Sequence, residues 1–254
     1  QYSEYDFKNL DELGGMTEVK EELQDNIVDV WNPEIRAALL ANKRAIPGGV
    51  ILEGPPGTGK TTIIETLARQ MDVPLFKMNY AQEGNEYIHR VSKNIADIFE
   101  RLALQAKILK KPVMLFFDEA EKFFPRYAQG HQVEEVNTYK ELMNNASRNN
   151  IILIGATNHI DMVNQEIIGN PRRMGTVIHV GNPEEKDRAN LFNKLLFGLP
   201  ILAAPLTPIV VSKLAKASAG LSIGQISDSI DKAIVKAVKK KQNITEEQLL
   251  GVFK

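Results

Sequence analysis

The 254-residue chain contains no cysteine. That excludes a disulfide scaffold, a thiolate metal site and a cysteine nucleophile, and a reducing compartment such as the cytoplasm is the expectation. Long hydrophobic runs are also missing. The longest apolar stretch, Phe197 to Val211, is broken by Pro200, Pro205 and Pro208, so no membrane-spanning segment is expected. The polar start (Gln1, Ser3, Glu4, Asp6) has none of the features of a signal peptide. The chain opens on Gln1 rather than Met, which reads as a segment of a longer protein whose preceding region can receive an adaptor. Net charge is almost absent: 31 Lys and Arg against 32 Asp and Glu leave −1, with no bulk pull toward nucleic acid or anionic lipid. The four histidines (His89, His131, His159, His179) form no His-Glu-x-x-His pair, so no zinc-protease site lies among these residues. The single tryptophan, Trp31, reads as packing in an N-terminal helical region.

What is present is an ordinary folding composition, 43% apolar and 25% charged, at a length that suits one to two domains of about 150 residues. The near-zero charge conceals an asymmetry. From Lys186 onward there are 11 basic against 5 acidic residues, or +6; the first 185 residues carry 20 against 27, or −7. A boundary near 183–186 is therefore expected, with an α/β domain over 1–185 and a helical domain over 186–254.

Five short apolar runs, 49–52, 74–78, 113–117, 151–154 and 177–180, alternate with helical patterns over 60–70, 87–106 and 133–146. A further helix is read over 16–27. Wholly apolar strands separated by helices predict a five-stranded parallel sheet covered on both faces. After Pro183 the strand signals stop. Helices are predicted over 184–196, 208–217, 223–239 and 245–253, the second and fourth opening at the caps Thr207 and Thr245.

Gly54-Pro55-Pro56-Gly57-Thr58-Gly59-Lys60-Thr61 follows the first strand and opens a helix, which is the context of a phosphate-binding loop. Glycines let backbone N–H groups curl around phosphate oxygens with no Cβ in the way, and the helix N-terminus adds partial positive charge. Lys60 is expected to reach the β- and γ-phosphates of a bound nucleotide, and the Thr61 hydroxyl to hold Mg²⁺.

Two more strands end in polar residues. Val113–Phe117 runs into Asp118 and Glu119. Asp118 is placed to complete the Mg²⁺ shell through water, and Glu119 to act as the general base on the attacking water. A polar loop start is the plainer account of the same pair. Ile151–Ala156 ends in Thr157-Asn158, where an amide can bond the γ-phosphate or the water, or simply form a turn.

The order of these segments (GPPGTGKT, LFFDEAE, IGATN, an arginine-containing segment, a helical lid) resembles the classical AAA clade of AAA+ ATPases, from Phe7 to Phe253. The resemblance implies a P-loop α/β core with a small helical lid. Lys60, Thr61 and Thr62 match the Walker A positions, Asp118 and Glu119 match Walker B, and Asn158 matches sensor 1. Leu10–Gly15 is similar to the segment that packs on adenine, through Leu13 and Gly14. Ser222-Ile223-Gly224-Gln225 stands where the family has Ser-Gly-Ala-Asp, with Gly224 facing the nucleotide. The arginine finger of the family lies in Arg-Pro-Gly-Arg-Phe; here the segment is Gly169-Asn170-Pro171-Arg172-Arg173-Met174 with one extra residue, so that Arg173 fits the second arginine and Arg172 substitutes for the first. A pair of solvated loop arginines is the plainer account. Tyr87-Ile88-His89 occupies the place of the aromatic–aliphatic–glycine pore loop, with the capping of the following helix as the other reading.

What the resemblance implies is an ATP-dependent protein-remodelling enzyme, a homo-oligomeric and hexameric ring that moves a polypeptide through its pore. Nucleic-acid partners are not expected, because a nucleic-acid groove needs a positive stripe and the first 185 residues are acidic. A loader or helicase and a weakly hydrolysing nucleotide-dependent scaffold remain as alternatives.

Overall fold

The computed structural model describes residues 7–78, 80 and 88–253, with 88–93 as backbone only. The chain divides into two compact units: Gln1–Leu10, Glu18–Gly54 and Lys60–His179 form the first, and Asp11–Thr17, Pro55–Gly59 and Val180–Lys254 the second.

The first unit is built on a sheet of five parallel strands: β1 (Gly49–Glu53), β2 (Leu75–Met78), β3 (Val113–Asp118), β4 (Ile151–Thr157) and β5 (Thr176–His179). Their order across the sheet is β2-β3-β4-β1-β5. The two strands with continuous apolar sequence, β3 and β4, lie inside the sheet, where both faces are covered. Register sets Asp118 beside Ala156 and Glu53 beside Thr157, so the carboxyl ends of three neighbouring strands finish level with one another. In open parallel sheets that edge is where ligands bind.

Three longer helices connect the strands: α3 (Lys60–Gln70), α4 (Ile88–Leu109) and α6 (His131–Met143). One core cluster joins Phe99 and Leu102 of α4, Leu115 and Phe117 of β3, and Tyr139 and Met143 of α6. Phe117 packs edge-on against Phe123, Phe124 and Tyr139, with ring centroids 4.9–5.8 Å apart. Edge-to-face pairs of this kind add to the area they bury. Two single-turn helices, α5 (Ala120–Phe123) and α7 (Gln165–Ile168), follow β3 and β4.

Near the start, the predicted 16–27 helix is α1 (Thr17–Leu23), continued by a wider π-helical turn, Gln24–Asp29. The sequence explains the widening. Val19, Leu23, Ile27 and Trp31 recur every four residues and all four are buried, a spacing longer than the 3.6 of a regular helix. Trp31 packs as expected, with the Arg36 guanidinium 4.7 Å from its ring centroid. Arg36 belongs to α2 (Pro33–Ala41), a helix not anticipated from the sequence although Asn32 caps it and Pro33 opens it.

The second unit contains α8 (Glu185–Leu196), α9 (Pro208–Ala217), α10 (Ile223–Lys240) and α11 (Glu246–Gly251). Phe192, Leu196, Leu214, Ile226, Ile230 and Leu249 form its core. The hydroxyls of Thr207 and Thr245 cap α9 and α11, as the sequence predicts, and Ser222 caps α10 while its own N–H donates back to the Gln225 side-chain oxygen. Among the described residues no helix is long and apolar enough to cross a membrane.

Candidate nucleotide site

The glycine-rich loop joins β1 to α3. Its glycines Gly57 and Gly59 have φ of +78° and +90°, a region closed to most side chains. A Cβ on Gly59 would meet nothing within 4 Å, so the bare backbone there faces open space. Thr58 is buried and its hydroxyl donates to the Pro55 carbonyl at 3.0 Å, closing the turn. Within the second unit, Gly224 N donates to the Gly57 carbonyl at 2.9 Å, and a Cβ on Gly57 would come within 2.9 Å of Ser222 Oγ. Pro55 and Pro56 are exposed; Thr61 and Thr62, in the first turn of α3, are half-buried.

Lys60 is buried, and its ammonium donates to the Gly54 carbonyl at 2.7 Å and to Asn158 Oδ1 at 2.8 Å. Burial pushes this ammonium below the ordinary lysine range, against the opposing pull of Glu53, Asp118 and Glu121. Four predicted residues therefore converge in the first unit: Gly54 after β1, Lys60 at the start of α3, Asp118 at the end of β3 and Asn158 after β4.

The two carboxylates are each held by a lysine. Lys77 pairs with Phe116 in the β2–β3 register, and residues two apart share a strand face, so the Lys77 side chain reaches Asp118. Its Nζ lies 2.7 Å from Asp118 Oδ2 and 5.4 Å from the Phe116 ring centroid. Glu119 has left-handed backbone, φ 55° and ψ 57°, which is costly for a residue with a Cβ and turns the chain from β3 into α5. Its N–H donates to Asp118 Oδ1 at 3.1 Å, and its carboxylate takes a bond from Lys122 Nζ at 2.5 Å. That bond pushes the Lys122 ammonium up from its ordinary value.

Of the two loop arginines, Arg172 is exposed, while Arg173 is half-buried. Arg173 Nε donates to Asn144 Oδ1 at 3.0 Å and Nη1 to the Glu166 carbonyl at 2.7 Å. Burial lowers its guanidinium from the ordinary arginine value, with Glu166 opposing. In the second unit, Leu13 and Gly14 are buried, and a Cβ on Gly14 would lie 2.9 Å from the Leu191 Cα, so α8 itself demands that glycine. Tyr87 lies outside the described residues, and Ile88 is the first backbone position of α4.

Several residues at this edge were not singled out from sequence: Glu53, Lys77, Glu121, Lys122 and Thr157. Two carried a signal. Glu121 is the third acid in Asp118-Glu119-Ala120-Glu121, and Lys77 is the lone charge in the four-residue strand β2. Phosphate groups fit this donor set, because the loop combines open backbone with a buried cation. Mg²⁺ fits too: Thr61 and Asp118 offer the hard oxygen ligands it prefers. Among the described residues no cluster of three or more His, Cys, Asp or Glu is placed to hold a metal by itself.

Comparison with known proteins follows the same lines. The profile of the ATPase family associated with various cellular activities (AAA) matches residues 50–182. The ATP-dependent zinc metalloprotease FtsH of Mesomycoplasma conjunctivae is 28% identical over 250 residues, covering 95% of this chain and 31% of that protein. The ATP-dependent zinc metalloprotease FtsH 3 of Phytoplasma mali is 32% identical over 262 residues, covering 98% and 40%. The peroxisomal ATPase PEX6 of Dictyostelium discoideum is 29% identical over 184 residues, covering 70% and 14%. The chain thus spans well under half the length of these relatives.

Proposed function

Since the chain belongs to the AAA family of ATPases, we propose that it hydrolyses Mg-ATP within a homo-oligomeric ring and uses the energy to remodel a polypeptide. The α/β core (1–185) carries the chemistry and the helical lid (186–254) responds to nucleotide. One observation carries the catalytic part of this reading: the Lys60 ammonium bonded at once to Gly54 and to Asn158 Oδ1. It ties the phosphate loop to a strand tip, so a cation for the γ-phosphate and an amide for the attacking water stand in direct contact.

The residues then divide the work. Loop N–H groups of Gly54–Thr62 and the α3 N-terminus bind the phosphates, with Lys60 on the β- and γ-oxygens. Thr61, and Asp118 through water, would hold Mg²⁺, which when bound neutralises charge on the phosphate oxygens. Glu119 orients the attacking water and takes its proton. Asn158 fixes the direction of that water. Arg173, held by Asn144 and the Glu166 carbonyl and assisted by Arg172, serves the nucleotide of a neighbouring subunit, where a guanidinium stabilises charge on the γ-phosphate. Leu13, Gly14 and Gly224 border the base and loop, and Tyr87 with Ile88 grips the polypeptide.

Glu119→Gln tests the chemistry. Nucleotide binding should persist while phosphate release falls by about 100-fold or more, the usual contribution of a general base. Normal phosphate release from that variant would overturn the assignment of the base.

A further inference from the structure

Thr157, the last residue of β4, is 2% exposed yet carries a hydroxyl that a valine of the same shape would lack. Burying a hydroxyl is unfavourable unless it is bonded, and this one is bonded twice. It donates to Glu121 Oε2 at 2.5 Å and accepts from the His159 N–H at 2.9 Å. The residue between Thr157 and His159 is Asn158, so one hydroxyl ties the backbone on both sides of it. The Thr157 carbonyl is held as well, by Gly54 N at 3.3 Å, and Gly54 in turn receives the Lys60 ammonium that also holds Asn158 Oδ1. Residues 54, 60, 157 and 158 thereby form a closed circuit, three hydrogen bonds completed by the Thr157–Asn158 peptide link and anchored from outside by Glu121. Asn158 itself is exposed, so packing alone does not hold its amide.

We propose that Glu121 and Thr157 are positioning residues: the Glu121–Thr157–His159 brace sets the direction of the Asn158 amide toward Lys60 and the reacting phosphate. This rests on the reading of Asn158 as the residue that directs the attacking water. Two of the three partners lie 36 residues apart in the chain, so the brace also couples the turn after β3, which carries Glu119, to the tip of β4. Displacement of α5 would be felt at Asn158.

The test compares Thr157→Val, Thr157→Ser, Glu121→Ala, Asn158→Ala and the Thr157→Val/Asn158→Ala double variant by kcat and by nucleotide Kd. Thr157→Val and Glu121→Ala should each lower kcat by about ten-fold, the scale of one lost hydrogen bond, with Kd within about three-fold of the parent. Thr157→Ser should restore kcat. The double variant should be no slower than Asn158→Ala, since residues acting through one another are not additive. Full additivity, or a Thr157→Val enzyme with parental kcat, would overturn the brace while leaving the role of Asn158 intact. Parental kcat in Asn158→Ala would overturn the reading of Asn158 and the brace together. If Thr157→Val fails to fold, Glu121→Ala decides alone, because it leaves the buried threonine in place.

Discussion

At Asp118 a lysine ammonium already occupies one carboxylate oxygen, 2.7 Å away. Both partners are partly exposed, 41% for Lys77 and 31% for Asp118, and a pair that wet contributes under about 1 kcal/mol. A divalent cation approaching Asp118 must compete with it. Lys77→Met should therefore lower the Mg²⁺ concentration needed for half-maximal binding of a fluorescent ATP analogue by about two- to five-fold. A Mg²⁺ titration reads this directly, and an unchanged or raised midpoint would show that Lys77 does not compete. Lys122 on Glu119 is more exposed, and its loss should matter less. Most of the polar side chains at this sheet edge that the proposed chemistry uses were legible at this scale. Lys60, Thr61, Asp118, Glu119 and Asn158 were named from motif and strand-end position. Their counter-ions were not, because a lysine in a strand carries no local mark of the carboxylate it will meet.

Among the elements, strands were the most legible. Each of the five apolar runs is a strand, with ends shifted by no more than three residues. Helix α2 was missed for a physical reason: it buries none of its residues, leaving Leu40 58% and Ile35 43% exposed, so no apolar stripe marks it. The caps read from sequence hold α9 and α11. The most complete cap on the long helices is at α10, where Ser222 Oγ accepts from Gln225 N at 3.2 Å and Gln225 Oε1 accepts from Ser222 N at 2.9 Å. Ser222→Ala should destabilise the helical unit by about 1 kcal/mol in urea denaturation followed by circular dichroism, and Ser222→Asp should recover most of it. No loss in the alanine variant would mean that the flanking packing holds α10 without its cap.

For the whole molecule the relevant quantity is charge. In the proposed ring, the acidic stretch of −7 in one copy and the basic stretch of +6 in the next would attract one another. Self-association of the Glu119→Gln protein with ATP should therefore weaken as salt rises past about 0.15 M, where screening shortens to about 8 Å. Sedimentation at two salt concentrations measures this, and an oligomer population indifferent to salt would remove charge as the cause.

The sequence by itself determined the fold class, the phosphate loop, the acidic strand end and the amide strand tip, because each is written in consecutive residues: a period, a glycine pattern, a polar residue closing an apolar run. Only the tertiary structure decided the β2-β3-β4-β1-β5 order, and with it which tips stand together. It also decided that Lys77 meets Asp118, that Glu121 meets Thr157 and that Arg173 rests on Asn144. Those partners lie 29 to 41 residues apart, and the pairing of β3 with both β2 and β4 brings the first two pairs together. Local patterns report burial and backbone geometry; strand adjacency selects the partner.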